Sequence, residues 1–408
     1  MNVADPRTVA EAAPASRMHT PISDAELARR WTAVRREMAA RDIDALVMQN
    51  ADDWLGGTVK WFTDHPATNG YPRTVIFHAE GAMTVVDMGP FDGRRKLDGR
   101  DRVHRGVDEI ITTPAFPSIV YSTSYQAELA LDVLKRRGYR TVGLVRAGAM
   151  PHGFVEGVKQ GLSGATRFVE AADFIDPIKA IKSPEEITLI RRTAEMQDAV
   201  FARVLEGIRP GMRDFEVTAL AQYHGRLLGS EQGLFLGSSA PLGMRSDFVD
   251  RHMQGRVLQE GDHYSLLIEN NGAGGLYAEI ARTIVLGRAS QEVLDGFEHV
   301  REAQDHTLKL LRPGATCADI ATAHDTFMCA RGLPPEHRLY CHGQGYDLVE
   351  RPLVRRDETM PLAAGMCLAV HPGYETASIF AVICDNYMIE ESGPSACLHR
   401  TPKKVFEL

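Results

Sequence analysis

The sequence predicts an α+β protein, with an N-terminal α/β domain followed by a larger C-terminal domain of two pseudo-twofold halves. Three observations carry this. Helix-period and strand-period segments alternate between Asp24 and Leu162. A strongly capped helix opens at Ser183, soon after Asp176-Pro177. The segment from Gly207 through Arg209-Pro-Gly211 to Glu216 is echoed by Leu310 through Arg312-Pro-Gly314 to Asp319, each ending one helix and starting another. That repeat is too long for a solenoid and reads as one domain with related halves, whose junction is a natural place for a site. At ~100–200 residues per domain, 408 residues divide into an arm over 1–20, a domain over 21–178 and a domain over 179–408.

In order along the chain, residues 1–20 are rich in Ala, Pro, Ser and Thr, and predict a poorly ordered arm or one that packs on a partner subunit. Asp24 caps a helix with Leu27, Trp31, Val34 and Met38 on one face. Asp42 to Met48 reads as a buried strand, and Thr74–His78 with Met83–Asp87 as a hairpin. Arg94-Arg95-Lys96 reads as a solvated loop. A helix over Tyr125–Arg137, a strand over Thr141–Val145 and a helix over Gly153–Leu162 complete the first domain. Ser183, Pro184 and Glu186 then form a capping box with proline in the first turn, opening a helix that runs to about Gly207. Gly272–Gly275 is a turn and not a phosphate loop, because no Lys-Ser/Thr follows.

Composition narrows the function classes. With 44% hydrophobic and 25% charged residues the chain is globular, and a net charge of −8 without a basic patch argues against nucleic acid and membrane surfaces as partners. Nothing approaches the ~20 apolar residues of a membrane span. No secretory signal is evident. The six cysteines contain no CxxC pair and read as reduced thiols of a cytoplasmic protein.

Several motifs together resemble the pita-bread family of creatinase, prolidase and methionine aminopeptidase. They are Ile181-Lys-Ser-Pro-Glu-Glu-Ile187, the paired Arg-Pro-Gly helices, Gly275-Leu-Tyr-Ala-Glu-Ile-Ala-Arg-Thr283, Cys341-His-Gly-Gln-Gly345 with Glu350-Arg-Pro352, Ala369-Val-His-Pro-Gly373, and Cys384-Asp385 with Gly393. No single motif is specific, but the ordered set is. The resemblance implies a creatinase-type N-terminal domain, a C-terminal pita-bread domain and a homodimer.

Metal-dependent members of that family hold two ions with two Asp, one His and two Glu. Carried over by position, the second Asp becomes Glu279, the His stays His342, one Glu becomes His371 and the other Cys384. The first Asp falls on Ile268 or Glu269. Losing both bridging glutamates argues against an ordinary dinuclear Xaa-Pro-type metallo-aminopeptidase, because two adjacent cations need anionic ligands between them. Creatinase itself is also a poor match. Its catalytic His position falls on Asp250, two residues from His252, and its catalytic Glu positions fall on Ala281 and His371.

The expected activity is therefore that of a small-molecule hydrolase or lyase, cleaving a C–N or related bond of a compact polar substrate. His342 and His371 exchange the protons, since histidine titrates near neutral pH, and Glu279 or Glu350 orients a ring. No cofactor is required by this reading. Its alternative places one divalent ion, zinc or iron, on Glu279, His342, His371 and Cys384, with Glu269 as a further ligand. Cys384 is otherwise a nucleophile or a small core residue. A Xaa-Pro-type metallo-aminopeptidase and a non-catalytic binding or scaffold relative are the remaining alternatives. Around this centre, the resemblance implies a carboxylate-clamping Arg351. Trp54, Trp61 and Tyr71 form a candidate aromatic wall, with Arg73 an added anion contact and His252 a further substrate-binding candidate.

Overall fold

A computed structural model describes residues 20–52, 56–67, 70–162, 164 and 166–408. The expected arm, apart from Thr20, and Trp54 of the aromatic wall lie outside the described residues. The chain divides into two compact units, Ile22–Lys179 and Ala180–Leu408.

The first unit is a seven-stranded mixed sheet with helices. Its elements are α1 (Asp24–Ala40), β1 (Ala45–Asn50), α2 (Gly57–Thr63), β2 (Arg73–His78), β3 (Met83–Met88), β4 (Gly93–Lys96), β5 (Val107–Thr113), α3 (Thr123–Arg137), β6 (Thr141–Leu144), α4 (His152–Gly161) and β7 (Arg167–Glu170), with α5 (Ala172–Ala180) at its end. The strand order is β4-β5-β3-β2-β1-β6-β7. The hairpin is as expected, with Thr74 opposite Val86. Ser23, not Asp24, caps α1, accepting the Glu26 amide at 3.1 Å. Asp42 sits at φ 51, a turn residue, so the first strand starts only at Ala45. The expected solvated loop Arg94-Arg95-Lys96 is instead the edge strand β4, antiparallel to β5. Three cations on an edge suit it, since charge there discourages pairing with a second chain.

The second unit carries the echo seen in the sequence. Ser183 and Glu186 close the capping box on α6 (Pro184–Gly207), which turns through Arg-Pro-Gly into α7 (Asp214–Leu227). These helices back a sheet of β8 (Gly233–Ala240), β9 (His263–Asn271), β10 (Tyr277–Val285) and the terminal Phe406–Glu407. The second half repeats the helix pair as α8 (Gln291–Leu310) and α9 (Cys317–Cys329). A five-stranded sheet of β11 (Cys341–Gly343), β12 (Glu350–Leu353), β13 (Cys367–Val370), β16 (Asp385–Glu390) and β17 (Gly393–Pro394) completes it, with β14 (Gly373–Glu375) and β15 (Phe380–Val382) forming a separate two-stranded hairpin. Each half has its own apolar core: Val200, Phe201, Val217, Ile268 and Ile280 in the first, Leu311, Ile320, Cys341, Leu368 and Ile389 in the second. A bridge between Ala281 and Cys384 joins the two sheets.

Candidate active site

Strand alternation decides which side chains reach the junction. Ile268 and Ile280 point into the helix-backed core. Successive residues on a strand face opposite sides, so Glu269 and Glu279, directly paired across β9 and β10, share the other face. Of the two positions offered for the first Asp, it is Glu269 and not Ile268 that shares the face of Glu279. On β11, His342 joins this face, its Nε2 lying 3.7 Å from Glu279 Oε2. His371 follows the end of β13, and its ring packs edge-on against His342 with centroids 5.0 Å apart.

Ligand atoms of Glu279, His342 and His371 all lie within 4.8 Å of one another. His342 Nδ1 donates to the Gly343 carbonyl at 2.9 Å, which leaves Nε2 with its lone pair free. His371 Nε2 is buried and has no hydrogen-bond partner among the described residues. A buried imidazole nitrogen without a partner is costly unless something supplies one. Two imidazoles and one carboxylate with an open fourth position are a suitable donor set for a single divalent ion such as zinc. They do not suit two ions, because no carboxylate stands where the second bridge would be.

Electrostatics changes the expected chemistry. Burial holds His342 down at about 4, and His371 well below its ordinary value, the latter aided by His342 and the Arg338 charge. Both rings are therefore neutral near pH 7, and the expectation that they exchange protons there is corrected. Burial instead lifts Glu279 to about 7. Glu269 is also raised well above its ordinary value, through burial and then the neighbouring Glu279 charge, while Gln344 Nε2 donates to it at 2.8 Å.

Other expected site residues are engaged elsewhere. Cys384 is not in the cluster. Its sulfur donates to the Glu279 carbonyl at 3.6 Å and packs with Leu267, Ala281, Ala369 and Phe380. Its sulfur is absent from the group of converging ligand atoms, and burial raises its thiol well above the ordinary value, which disfavours a nucleophilic thiolate. Glu350 accepts from Lys182 Nζ at 2.7 Å and from the Tyr346 amide at 2.8 Å, bracing the turn after β11 rather than orienting a catalytic ring. The guanidinium of Arg351 closes on Glu358 and Thr359, so it is not poised to clamp a substrate carboxylate.

In the first unit, Trp61 is only 1% exposed and packs against Phe62 with Arg30 over its ring, a core residue and not a wall. Arg73 pairs with Asp87 at 2.7 Å, leaving it poorly placed as an anion contact. Tyr71 is 38% exposed, with its ring 5.9 Å from Phe116. His252 is exposed on the turn Arg251–Met253, outside the cluster.

Three residues went unnoticed in the sequence. Gln344 links Glu269 to Asn386, whose Oδ1 accepts the Glu279 amide at 2.7 Å, so one polar strut holds both carboxylate strands. Gln344 lies within the motif around His342, and Asn386 is two residues past Cys384, which is the only signal either carries. Arg338 is the third, and its charge bears on both Glu279 and His371. A second group, Asp385, Cys397 and His399, is also close enough to hold a cation. Arg282 already occupies it, with its guanidinium 2.7 Å from Asp385 Oδ1.

Two helix-backed half-domains, with carboxylates and imidazoles on the strands where they meet, define a pita-bread hydrolase. The chain belongs to metallopeptidase family M24, whose model matches residues 188–391. It is 27% identical over 282 residues to a Xaa-Pro dipeptidase of Pyrococcus horikoshii, covering 66% of this chain and 75% of that one. It is 27% identical over 403 residues to an uncharacterized hydrolase/peptidase, y4tM, of Sinorhizobium fredii, covering 94% and 98%. Among solved structures, an X-Pro aminopeptidase of Thermotoga maritima superposes with a TM-score of 0.75 at 18% identity, covering 93% of this chain and 99% of that one. A prolidase of Thermococcus sibiricus gives 0.76 at 18%, covering 94% and 99%. The pita-bread fold expected from the motifs is thus the fold of this chain.

Proposed function

We propose that this chain hydrolyses the amide-type C–N bond of a compact, dipeptide-sized substrate at Glu279, His342 and His371, with those three residues holding one divalent ion. The observation that carries the reading is the unpartnered His371 Nε2 beside a free His342 Nε2 and a carboxylate. The likeness to Xaa-Pro dipeptidases supports Xaa-Pro dipeptides as the first substrates to try, ahead of the non-peptide C–N substrates expected from the sequence. A bound ion would supply a Lewis acid for the scissile carbonyl and a source of activated water. Glu279 contributes the anionic ligand, and the Gly343 carbonyl fixes the tautomer of His342. Gln344 and Asn386 keep Glu269 and Glu279 in register. The buried apolar cluster of Leu267, Ala281, Phe380 and Cys384 keeps the interior beside these strands dry.

One observation favours a metal-free variant of the same reaction. Glu279, lifted to about 7, is suited to take up and return a proton near neutrality. Elemental analysis of the purified protein, combined with assays on Xaa-Pro dipeptides and small amidines with and without added zinc, iron or chelator, separates the two. Bound metal near one equivalent and chelator-sensitive Xaa-Pro cleavage are expected. Full turnover in metal-free protein overturns the ion, and cleavage of amidines alone overturns the dipeptide. A homodimer belongs to the same proposal, and sedimentation velocity checks it.

A further inference from the structure

Two buried carboxyl groups side by side need a cation between them or hydrogen-bond donors in its place. Glu269 and Glu279 are directly paired across β9 and β10, share one face and are both buried. Glu279 converges with the two histidines, and Glu269 lies outside that group of ligand atoms. Glu269 instead meets a carboxamide. Gln344 Nε2 donates to Glu269 Oε1 at 2.8 Å and to the Leu348 carbonyl at 3.1 Å, which uses both of its hydrogens. Gln344 Oε1 accepts from Asn386 Nδ2 at 2.8 Å, and Asn386 Oδ1 accepts the Glu279 amide at 2.7 Å. Both amide side chains are buried.

The direction of this relay is fixed at both ends. A backbone N–H can only donate, so Asn386 turns its oxygen to Glu279 and its nitrogen to Gln344. A backbone carbonyl can only accept, so Gln344 turns its nitrogen to Leu348 and, with it, to Glu269. Flipping Gln344 alone would set its nitrogen against Asn386 Nδ2 and its oxygen against the Leu348 carbonyl. Flipping both amides would set Asn386 Nδ2 against the Glu279 N–H. Glu269 therefore faces a locked N–H donor, the end of a dipole that attracts a carboxylate and repels a cation. Cys384 offers a second ion no help, since its sulfur is turned to the Glu279 carbonyl at 3.6 Å.

We propose that the Gln344–Asn386 relay stands in for a second cation at Glu269 and restricts the cluster to one ion. This rests on the reading of Glu279, His342 and His371 as an ion site, and it supplies a reason for the number one that lies in this chain's own amides. To turn an oxygen toward an ion beside Glu269, Gln344 would have to give up its bonds to Asn386 and Leu348. At about tenfold per buried bond, that weakens a second ion on the order of 100-fold.

The test counts ions, by native mass spectrometry and by calorimetric titration of chelator-treated protein with zinc and with manganese. It compares the wild type, Gln344→Glu, Asn386→Asp and the double variant Gln344→Glu with Glu269→Gln. Gln344→Glu keeps the bond from Asn386 and turns a carboxylate oxygen to Glu269. Asn386→Asp leaves Gln344 in place but demands a donor from it, so the Gln344 oxygen swings to Glu269. The wild type is expected to saturate at one ion, each single variant at two, and the double variant at one again. Should one single variant fail to fold by circular dichroism, the other decides. A second ion in the wild type, only one ion in the folded single variants, or two ions retained in the double variant overturns the relay. If the wild type holds none while Gln344→Glu gains one that Glu269→Gln removes, the relay stands and the ion site of Glu279, His342 and His371 falls. If no variant binds an ion, the relay falls as well.

Discussion

Glu279 and His371 are the residues on which the site depends. Glu279→Gln removes the anionic ligand while keeping its shape, and His371→Ala removes the unpartnered nitrogen. Each is expected to lower kcat/KM by at least about 100-fold, the usual weight of one ligand or proton-handling group. Each should also lower bound metal in elemental analysis. Retained metal with lost activity would instead assign the residue to proton handling. Cys384 behaves oppositely. Its thiol is buried and held protonated, so Cys384→Ala should keep activity within about threefold and cost about 1 kcal/mol in urea denaturation from the small cavity left. In the folded protein, iodoacetamide should label the exposed Cys329 before Cys384, as peptide mapping would show. Prompt alkylation of Cys384 with loss of activity would restore its candidacy as a nucleophile.

At the scale of elements, the site rests on how strands of the two halves are tied together. Arg282 on β10 and Asp385 on β16 form a fully buried ion pair, and Arg282 also donates to the Cys384 carbonyl at 3.0 Å. Burial pushes the Asp385 carboxyl up, but the Arg282 charge and the His399 and Arg282 contacts together outweigh it and hold the group below its ordinary value. Arg282→Met leaves that charge uncompensated and should cost about 3–5 kcal/mol, measurable by denaturant titration. Adding Asp385→Asn should recover part of the loss. A cost below about 1 kcal/mol would mean that water reaches the pair.

Stability of the whole molecule should depend on pH through histidines that are not part of the cluster. His78 in the first unit and His324 in the second are both fully buried, and burial lowers each to about 4 from an ordinary 6.5. The unfolded chain therefore binds more protons than the folded one between these values. Stability contributed by neutral His78 and His324 is complete above pH 6.5, falls as the pH drops, and is lost through pH 4. Thermal melts at pH 7, 5.5 and 4.5 should show this decline, and His78→Gln should flatten it in the first unit. A melting temperature independent of pH over this range would contradict it. Among the described residues, no helix is long and apolar enough to cross a membrane.

Local rules in the sequence were enough for much of the architecture. The capping box at Ser183, the hairpin of β2 and β3, and the paired Arg-Pro-Gly turns depend on neighbours a few residues apart, and the motif order identified the family. His342, His371, Glu279 and Glu269 were legible as a group because the motifs mark strand positions. Their partners were not. Whether Cys384 joined the metal set, whether Arg351 was free to clamp a carboxylate, and whether a histidine or Glu279 titrates near neutrality all depend on which groups are buried together. Those answers are set largely by contacts between residues far apart in the chain, such as Gln344 with Glu269 and Cys384 with Glu279. The sequence determined the scaffold and the ligand types. Tertiary packing decided their charge states and which of them remain free to act, because desolvation and pairing act through space and leave no periodic trace along the chain.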